Sequence, residues 1–478
     1  MEDLNNIPSH WGRTKASKVG NLLRGINYKK KDTSNVVLKD FLPVLRGNNI
    51  NGNLNFENLV YVPKENVKKE QIIRSGDIIF AMSSGSKHLV GKSAKAKTDF
   101  NGSFGAFCGV FRPNENFNKE FVAYFFQSPY YKKIISEISK GTNINNLKRE
   151  HILDLDFPIP PLPEQQAIVS KIEELFSELD KGKQQLQTAK QQLKVYRQSL
   201  LKWAFEGKLT EEWRKKNEVA RRGIEPQIEL ENRVRVPAGS DPMDAININK
   251  KKSRVQAPAR SQDMNSINNI RVVGSNPATP TGWKRVKLGE VCEIKRGKSK
   301  HRPRNESSLF VGKYPFIQTG DIREANGGYI NKYSQTYNEK GLQQSKLWPK
   351  GTLCITIAAN IGETAILNFD SCFPDSVVGL LCNEKFLLNK FTNYFFISYK
   401  SKLEKLAPAT AQKNINVEIL EKVKIPLPSL KEQQLIVEEL ESKLTICDKI
   451  EETIGHSLQQ AETLRQSILK KAFEGTLV

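Results

Sequence analysis

From Ile168 onward, apolar or small side chains recur at alternating spacings of four and three: Ile168, Ile172, Leu175, Leu179, Gly182, Leu186, Ala189, Leu193, Tyr196, Leu200 and Trp203. That spacing lines one face of a helix and keeps an a/d seam through five heptads. A second seam runs through Ile436, Leu440, Cys447, Ile450, Ile454, Ala461, Leu464 and Ile468, interrupted by Lys443, Ser457 and Lys471. The pattern predicts two long helices, over 163–210 and 431–478. Pro163 suits a first helical turn, and Ser429 with Glu432 has the spacing of a capping box. Gly207 and Gly475 stand where a left-handed residue ends a helix. At about 1.5 Å per residue, each helix reaches at most about 70 Å.

The two helices are copies. Residues 163–210 align without a gap on 431–478, with 20 of 48 pairs identical, from "EQQAIV" against "EQQLIV" to "AFEG" in both. The sequence before each helix repeats more loosely. "PSHWGRTKASKVG" faces "PTGWKRVKLGEV", "LPVLRGNNI" faces "YPFIQTGDI", "AYFFQS" faces "NYFFIS", and "FPIPPLPEQQ" faces "KIPLPSLKEQQ". The chain is therefore a tandem duplication, each half a Trp-led globular unit, a proline-marked junction and a long helix.

Within the globular parts, 1–162 and 283–430, short apolar runs such as "GDIIFAM", "FCGVF", "GTLCITIA" and "VVGLL" are broken by Gly, Asn and Ser. They read as strands, accompanied by a helix over "KEFVAYFFQSPYYKKIISEI", so the class is α+β. Residues 211–282, rich in Pro, Ser, Asn and scattered charge, read as a flexible linker.

Charge sharpens this division. The net charge of +22 implies a polyanionic partner, with nucleic acid ahead of a membrane surface because no basic amphipathic helix stands out. Residues 1–162 carry 24 basic against 15 acidic side chains and residues 279–430 carry 23 against 13, whereas the two helices together carry 14 against 15. The polyanion-binding surface thus belongs to the globular parts, and the helices are nearly neutral. No run of 18 apolar residues exists, and the first residues have no apolar core of a leader peptide, so a cytoplasmic protein outside the membrane is expected. The six cysteines form no CxxC pair or zinc spacing and are expected as buried free thiols.

Basic and amide side chains gather in polar loops. In the first half these are Lys29, Lys30 and Lys31, then Arg46, Asn48 and Asn49, then Lys87 and Lys92. In the second they are Lys298, Lys300, Arg302 and Arg304, then Gln318, Thr319 and Arg323, then Lys413 and Asn414. Arg and Lys bond guanine edges and phosphates, and Asn and Gln pair with adenine, so these loops are candidate contacts to double-stranded DNA. There is no P-loop, no N-P-P-[YF] or D-P-P-Y methyltransferase motif, no metal-ligand spacing, and only "EIK" at Glu293–Lys295 as a nuclease-like fragment. A binding protein is favoured over an enzyme.

Two basic α+β units, each followed by a helix that opens on EQQ and closes on AFEG, resemble the specificity subunit of a Type I restriction-modification system. "GWKRVKLGEV", "GDIIFAMSSGSKHLVGK" and "PFIQTGDI" add to the likeness. The resemblance implies two target recognition domains, each reading half of a bipartite, asymmetric DNA sequence, joined by spacer helices packed as an antiparallel coiled coil. It implies a noncatalytic chain that works with two methyltransferase subunits and two restriction subunits. S-adenosylmethionine, ATP and magnesium are then needed only in those partners. Glu164, Gln165, Gln166 and Phe205, and in the second copy Glu432, Gln433, Gln434 and Phe473, become the expected spacer and partner positions. The competing reading is a stand-alone regulatory or structural DNA-binding protein with a coiled-coil spacer.

Overall fold

The computed structural model describes residues 7–84, 89–140, 146–221, 280, 282–300, 306–358, 360–406 and 414–478. Two compact units divide the chain: 1–191 with 450–478, and 192–449. Neither unit coincides with one sequence repeat, because each takes in part of both long helices.

In the first unit, β1 (Gly12–Lys15) leads through the short α1 (Ala16–Val19) into β2 (Gly20–Arg24). There follow β3 (Phe41–Leu45), β4 (Ile50–Asn51), β5 (Asn53–Leu54), β6 (Val60–Pro63), β7 (Ile78–Ala81), β8 (Ser93–Lys95), β9 (Ser103–Phe104) and β10 (Cys108–Pro113). Helices α2 (Lys119–Phe125), α3 (Pro129–Lys140) and α4 (Arg149–Leu153) precede β11 (Asp156–Ile159). The main sheet has the order β2-β10-β7-β8, β3 pairs with β6 and β9, and β1 pairs antiparallel with β11. The fully apolar run of β7 is buried at every position, as a strand covered on both faces requires.

The expected single helix over residues 119–138 is two. Pro129 has no N–H to continue the ladder and disfavours helical backbone before it, so α2 ends and α3 begins on the proline. The second half has Tyr399 at the matching place, and there one helix of 18 residues runs unbroken.

Long helix α5 (Leu162–Phe205) is followed by α6 (Glu211–Arg221). The second unit then repeats the plan with β12 (Lys284–Lys287), α7 (Leu288–Val291), β13 (Cys292–Arg296), β14 (Phe310–Phe316), α8 (Thr319–Glu324), β15 (Tyr329–Ile330), β16 (Gln335–Tyr337) and α9 (Glu339–Gln343). Strands β17 (Leu353–Thr356), β18 (Thr364–Leu367) and β19 (Val377–Cys382) lead to α10 (Asn389–Leu406), α11 (Val417–Glu421), β20 (Lys424–Leu427) and the second long helix α12 (Leu430–Phe473). The sheet order β13-β19-β17-β18-β15 and the pair β12-β20 match the first unit strand for strand, with β15 added. All six cysteines are free thiols, five of them buried, and Cys292 faces Cys382 across two strands.

Part of the expected linker is structured. Residues 211–221 form α6, because Arg214 reaches back to the Gly207 carbonyl and Glu211 pairs with Lys215 one turn on. The rest of the stretch, 222–279, lies outside the described residues.

The long helices are each 44 residues and run antiparallel. In the first unit Asp180 meets Arg465, Lys183 meets Glu462 and Lys190 meets Glu451; in the second Arg197 meets Asp448. Ile168, Ile172, Leu193, Leu200, Ile436, Leu440, Cys447, Ile454 and Ile468 are buried as the seam requires. Tyr196, Ile450 and Leu464 depart from it, at 41%, 44% and 50% exposure. A straight helix drifts by about 20° per heptad from a strict seven-residue repeat, so a seam without full supercoiling loses some of its positions to solvent. At the helix ends the contact is with a globular core. Ile468, Leu469, Ala472 and Phe473 join the first unit's core, and Leu200, Ala204 and Phe205 join the second's.

The ends are equivalent. Phe473 lies 5.0 Å from the Phe121 ring and 5.6 Å from Phe125; Phe205 lies 5.2 Å from Phe391 and 5.5 Å from Phe395. Gly475 and Gly207 follow with φ of +69° and +73°, where a Cβ would overlap the rings of Pro8 and Pro280. Phe473→Ala should lower the unfolding free energy by about 3–5 kcal/mol, read by urea titration, and Phe205→Ala by less, since that ring is only half-buried.

Candidate nucleic-acid interface

Each unit anchors its Trp to the first turn of a long helix. Trp11 Nε1 donates to Glu164 Oε1 at 2.9 Å, and His10 Nε2 lies 2.9 Å from Oε2 of the same carboxylate. Trp283 Nε1 donates to Glu432 Oε2 at 2.9 Å. Glu432 also accepts from Thr210 Oγ1 at 2.7 Å and from the Arg214 guanidinium, which covers the Trp283 ring at 5.4 Å. The helix N-terminus favours a carboxylate at this place. The capping box expected at Ser429 is therefore only half formed. Ser429 Oγ accepts from the Glu432 N–H at 3.3 Å, but the Glu432 side chain turns to Trp283.

The neighbouring glutamines are equally occupied. Gln165 accepts from Asn118 N and donates to the Pro160 carbonyl; Gln433 accepts from Leu388 N and donates to Phe386 and Pro428 carbonyls. Of the eight positions expected to serve spacer and partner, Glu164, Gln165, Glu432, Gln433, Phe205 and Phe473 are engaged within the units. Gln166 and Gln434 are exposed.

In the first unit the basic loops gather at one end of the main sheet, and in the second Arg296, Lys298, Lys300 and Asn414 stand at the matching end. In the first unit Arg24 closes β2 opposite Gly109, and Ala81 closes β7 opposite Cys108. Gly47 sits against that end, its Cβ position 3.9 Å from Ala81 Cβ, which brings up the turn carrying Arg46 and Asn48. Asn146 bridges to Ser83 and delivers Lys148 and Arg149 to the same place. Lys92 is half-buried and donates to Asn51 Oδ1 at 2.9 Å. Asn48, Lys29, Lys30 and Lys31 are exposed, the last two in the turn Lys30–Asp32. Tyr28 approaches Gly105 beneath them; burial raises its phenol above the ordinary value, opposed by the nearby Arg46 charge.

Asn49 has a different task. It is 1% exposed, its Oδ1 accepts from Arg46 N at 2.9 Å, and its Nδ2 donates to the Asn55 and Glu57 carbonyls. It holds the turn that presents Arg46, with no polar atom to spare for a base.

In the second unit Arg296 closes β13 and donates to the Asp375 carbonyl, Lys298 and Lys300 are exposed just beyond it, and exposed Asn414 bridges to Ala358. Gln318 precedes α8 as Arg46 precedes its turn: its N–H donates to Asp321 Oδ2 at 2.7 Å and its Nε2 to Gln335 at 2.7 Å. Thr319 is half-buried and Arg323 exposed. Lys87, Arg302, Arg304 and Lys413 lie outside the described residues. Arg24 and Lys148, at the same sheet end, are not among the expected contacts, and Arg296 enters only as part of the loop "KRGKSKHRPR". A signal is available for Arg24, which stands with Arg296 at matching ends of the repeated strand "GNLLRG" and "CEIKRG".

The model of the Type I restriction modification DNA specificity domain matches this chain twice, over residues 8–189 and 280–460. The chain belongs to that Type I specificity family. The Type I restriction enzyme EcoKI specificity subunit of Escherichia coli K12 is 31% identical, with 98% of this chain and 90% of the relative aligned. The StySPI specificity subunit of Salmonella potsdam is 30% identical over the same shares. Among solved structures, a chain from work on complex assembly and conformational transition of the type I R-M system aligns with a TM-score of 0.66 at 20% identity, covering 98% of this chain and 99% of that one. The HsdS subunit from Thermoanaerobacter tengcongensis aligns at 0.54 and 20% identity, covering 98% of both. These likenesses extend over both repeats and both long helices, as the resemblance of the repeated motifs implied. Among the described residues no helix is long and apolar enough to cross a membrane.

For this specificity-family chain, the two Trp-to-Glu anchors differ in burial. The Glu432 and Arg214 side chains are 4% and 14% exposed, against 24% and 59% for Glu164 and His10. Arg214→Ala strands a buried carboxylate and should destabilise the chain by about 3–5 kcal/mol. His10→Ala should cost under about 1 kcal/mol, both read from denaturant midpoints.

Proposed function

We propose that this chain is the DNA-reading subunit of a Type I restriction-modification complex, with each unit reading one half of a bipartite, asymmetric target. The observation that carries this reading is the repetition of one sheet end, basic in both units, on a chain of the specificity family. Arg24 and Arg296 occupy the same strand position, and exposed lysines surround each. The loops around them differ, so the two halves select different sequences with one scaffold. Nearly neutral helices suit protein contacts and a fixed spacer, and exposed Gln166 and Gln434 mark equivalent faces for equivalent partners.

The partners are two methyltransferase subunits, which methylate adenine with S-adenosylmethionine, and two restriction subunits that use ATP and magnesium. The chain itself supplies recognition without a catalytic step, in the cytoplasm. Co-expressed with its methyltransferase, it should co-purify with it and give adenine methylation at one bipartite motif on methylome mapping. Exchange of residues 1–162 for another recognition domain should change one half of the motif only. A chain that binds DNA but retains no methyltransferase would be a stand-alone DNA-binding protein, and methylation by the isolated chain would show catalysis of its own.

Phosphate binding and base reading separate by salt. Lys29→Ala, Lys30→Ala and Lys31→Ala should weaken binding to all sequences alike, and lower the slope of log affinity against log salt by about one for each phosphate left without its lysine.

A further inference from the structure

At the basic end of the first unit's sheet lies a cavity of about 620 Å³, lined among others by Arg24, Asn27, Ser83, Phe107, Lys148 and Arg149. Phe107 stands at its rim and is 69% exposed. A single exposed apolar side chain is ordinary on a protein surface. Three features set this one apart.

First, its backbone is held. The Phe107 carbonyl accepts from the N–H groups of Met82 and Ser83 at 2.9 and 3.1 Å, extending the β7–β10 ladder to the base of the ring. Second, its surroundings are cationic and amide-bearing. Arg24 and Lys148 are exposed on the cavity wall, while Arg149 is fixed by a 2.6 Å bond to the Leu22 carbonyl. Third, the matching position in the second unit is not aromatic. The Ser376 carbonyl accepts from Ile357 N at 3.0 Å as Phe107 does from Met82, so Ser376 occupies the same place. The position before the following short helix is Lys148 in one unit and Asn416 in the other.

An exposed ring on a fixed backbone, set among Arg24 and Lys148, fits an apolar base edge beside phosphates, and the thymine methyl in the major groove of duplex DNA is such a group. We propose that Phe107 is an apolar base contact of the first half-site, packing against a thymine methyl while Arg24 and Lys148 hold flanking phosphates. This rests on the DNA-reading assignment above and adds to it the chemistry by which the two halves differ at this position.

The test uses the full chain assembled with its methyltransferase, and synthetic duplexes of the methylated motif in which each thymine is replaced in turn by deoxyuridine, which lacks only the methyl. For the wild type, one replacement in the first half-site should weaken binding about fourfold, the worth of one buried methyl. For Phe107→Ala that replacement should have no effect, and replacements in the second half-site should act equally on both proteins. Wild type and variant responding alike at every thymine would overturn the inference. A wild-type complex that does not prefer its motif over a scrambled duplex would overturn the DNA-reading assignment itself. Since Phe107 is exposed, an unchanged melting curve for the variant distinguishes a missing ring at the DNA from a misfolded domain.

Discussion

A phenylalanine at the end of each long helix packs against a pair of phenylalanines, and that pair belongs to the domain that the other helix follows in sequence. Phe473 closes on Phe121 and Phe125, and Phe205 on Phe391 and Phe395. The equal length of the helices and their antiparallel sense make the exchange reciprocal. It explains why "AFEG" occurs twice: the alanine and phenylalanine enter a core, and the glycine turns left-handed against a proline that opens a domain. The first unit's core is completed by the last residues of the chain, so its closure is among the most non-local contacts in the molecule.

The same economy appears at the helix starts. A carboxylate in the first turn receives a Trp N–H in both units, but the second side chain that meets it comes from different elements: His10 ahead of Trp11, and Arg214 from α6 beyond the end of α5. The shared parts are therefore the ones that hold each unit to its helices, and they are used internally. Of the matching EQQ residues, only Gln166 and Gln434 stay exposed.

The long helices, the duplication and the α+β class were legible because periodicity and self-similarity are read over dozens of residues. Features that hang on one residue were not. Pro129 divides a helix that the same pattern leaves whole at Tyr399, and the polar run Glu211–Arg221 reads as linker until Arg214 is seen to have a buried acceptor. The basic sheet ends were legible as regions from "LRGNN" and "KRGKSK". The role of Asn49 was not, since an amide serves a tight turn as well as it serves adenine. Phe107 reads as the start of the strand "FCGVF", whereas the strand begins at Cys108 and Phe107 stands in the turn before it.

Divergence between the units is concentrated where the scaffold tolerates it. Arg46 and Gln318 sit at matching places, each with its N–H held by the side-chain oxygen three residues on, Asn49 in one unit and Asp321 in the other. Both supporting residues keep a carbonyl-type acceptor, because losing it would leave a turn N–H without a partner. The residues they support need not agree, and one is a fork of donors while the other is an amide. The same holds at Phe107 and Ser376, whose carbonyls are fixed by the ladder and whose side chains are free to differ. A sheet end of this kind fixes positions by backbone hydrogen bonds and leaves their chemistry open, which is what two recognition surfaces on one repeated fold require.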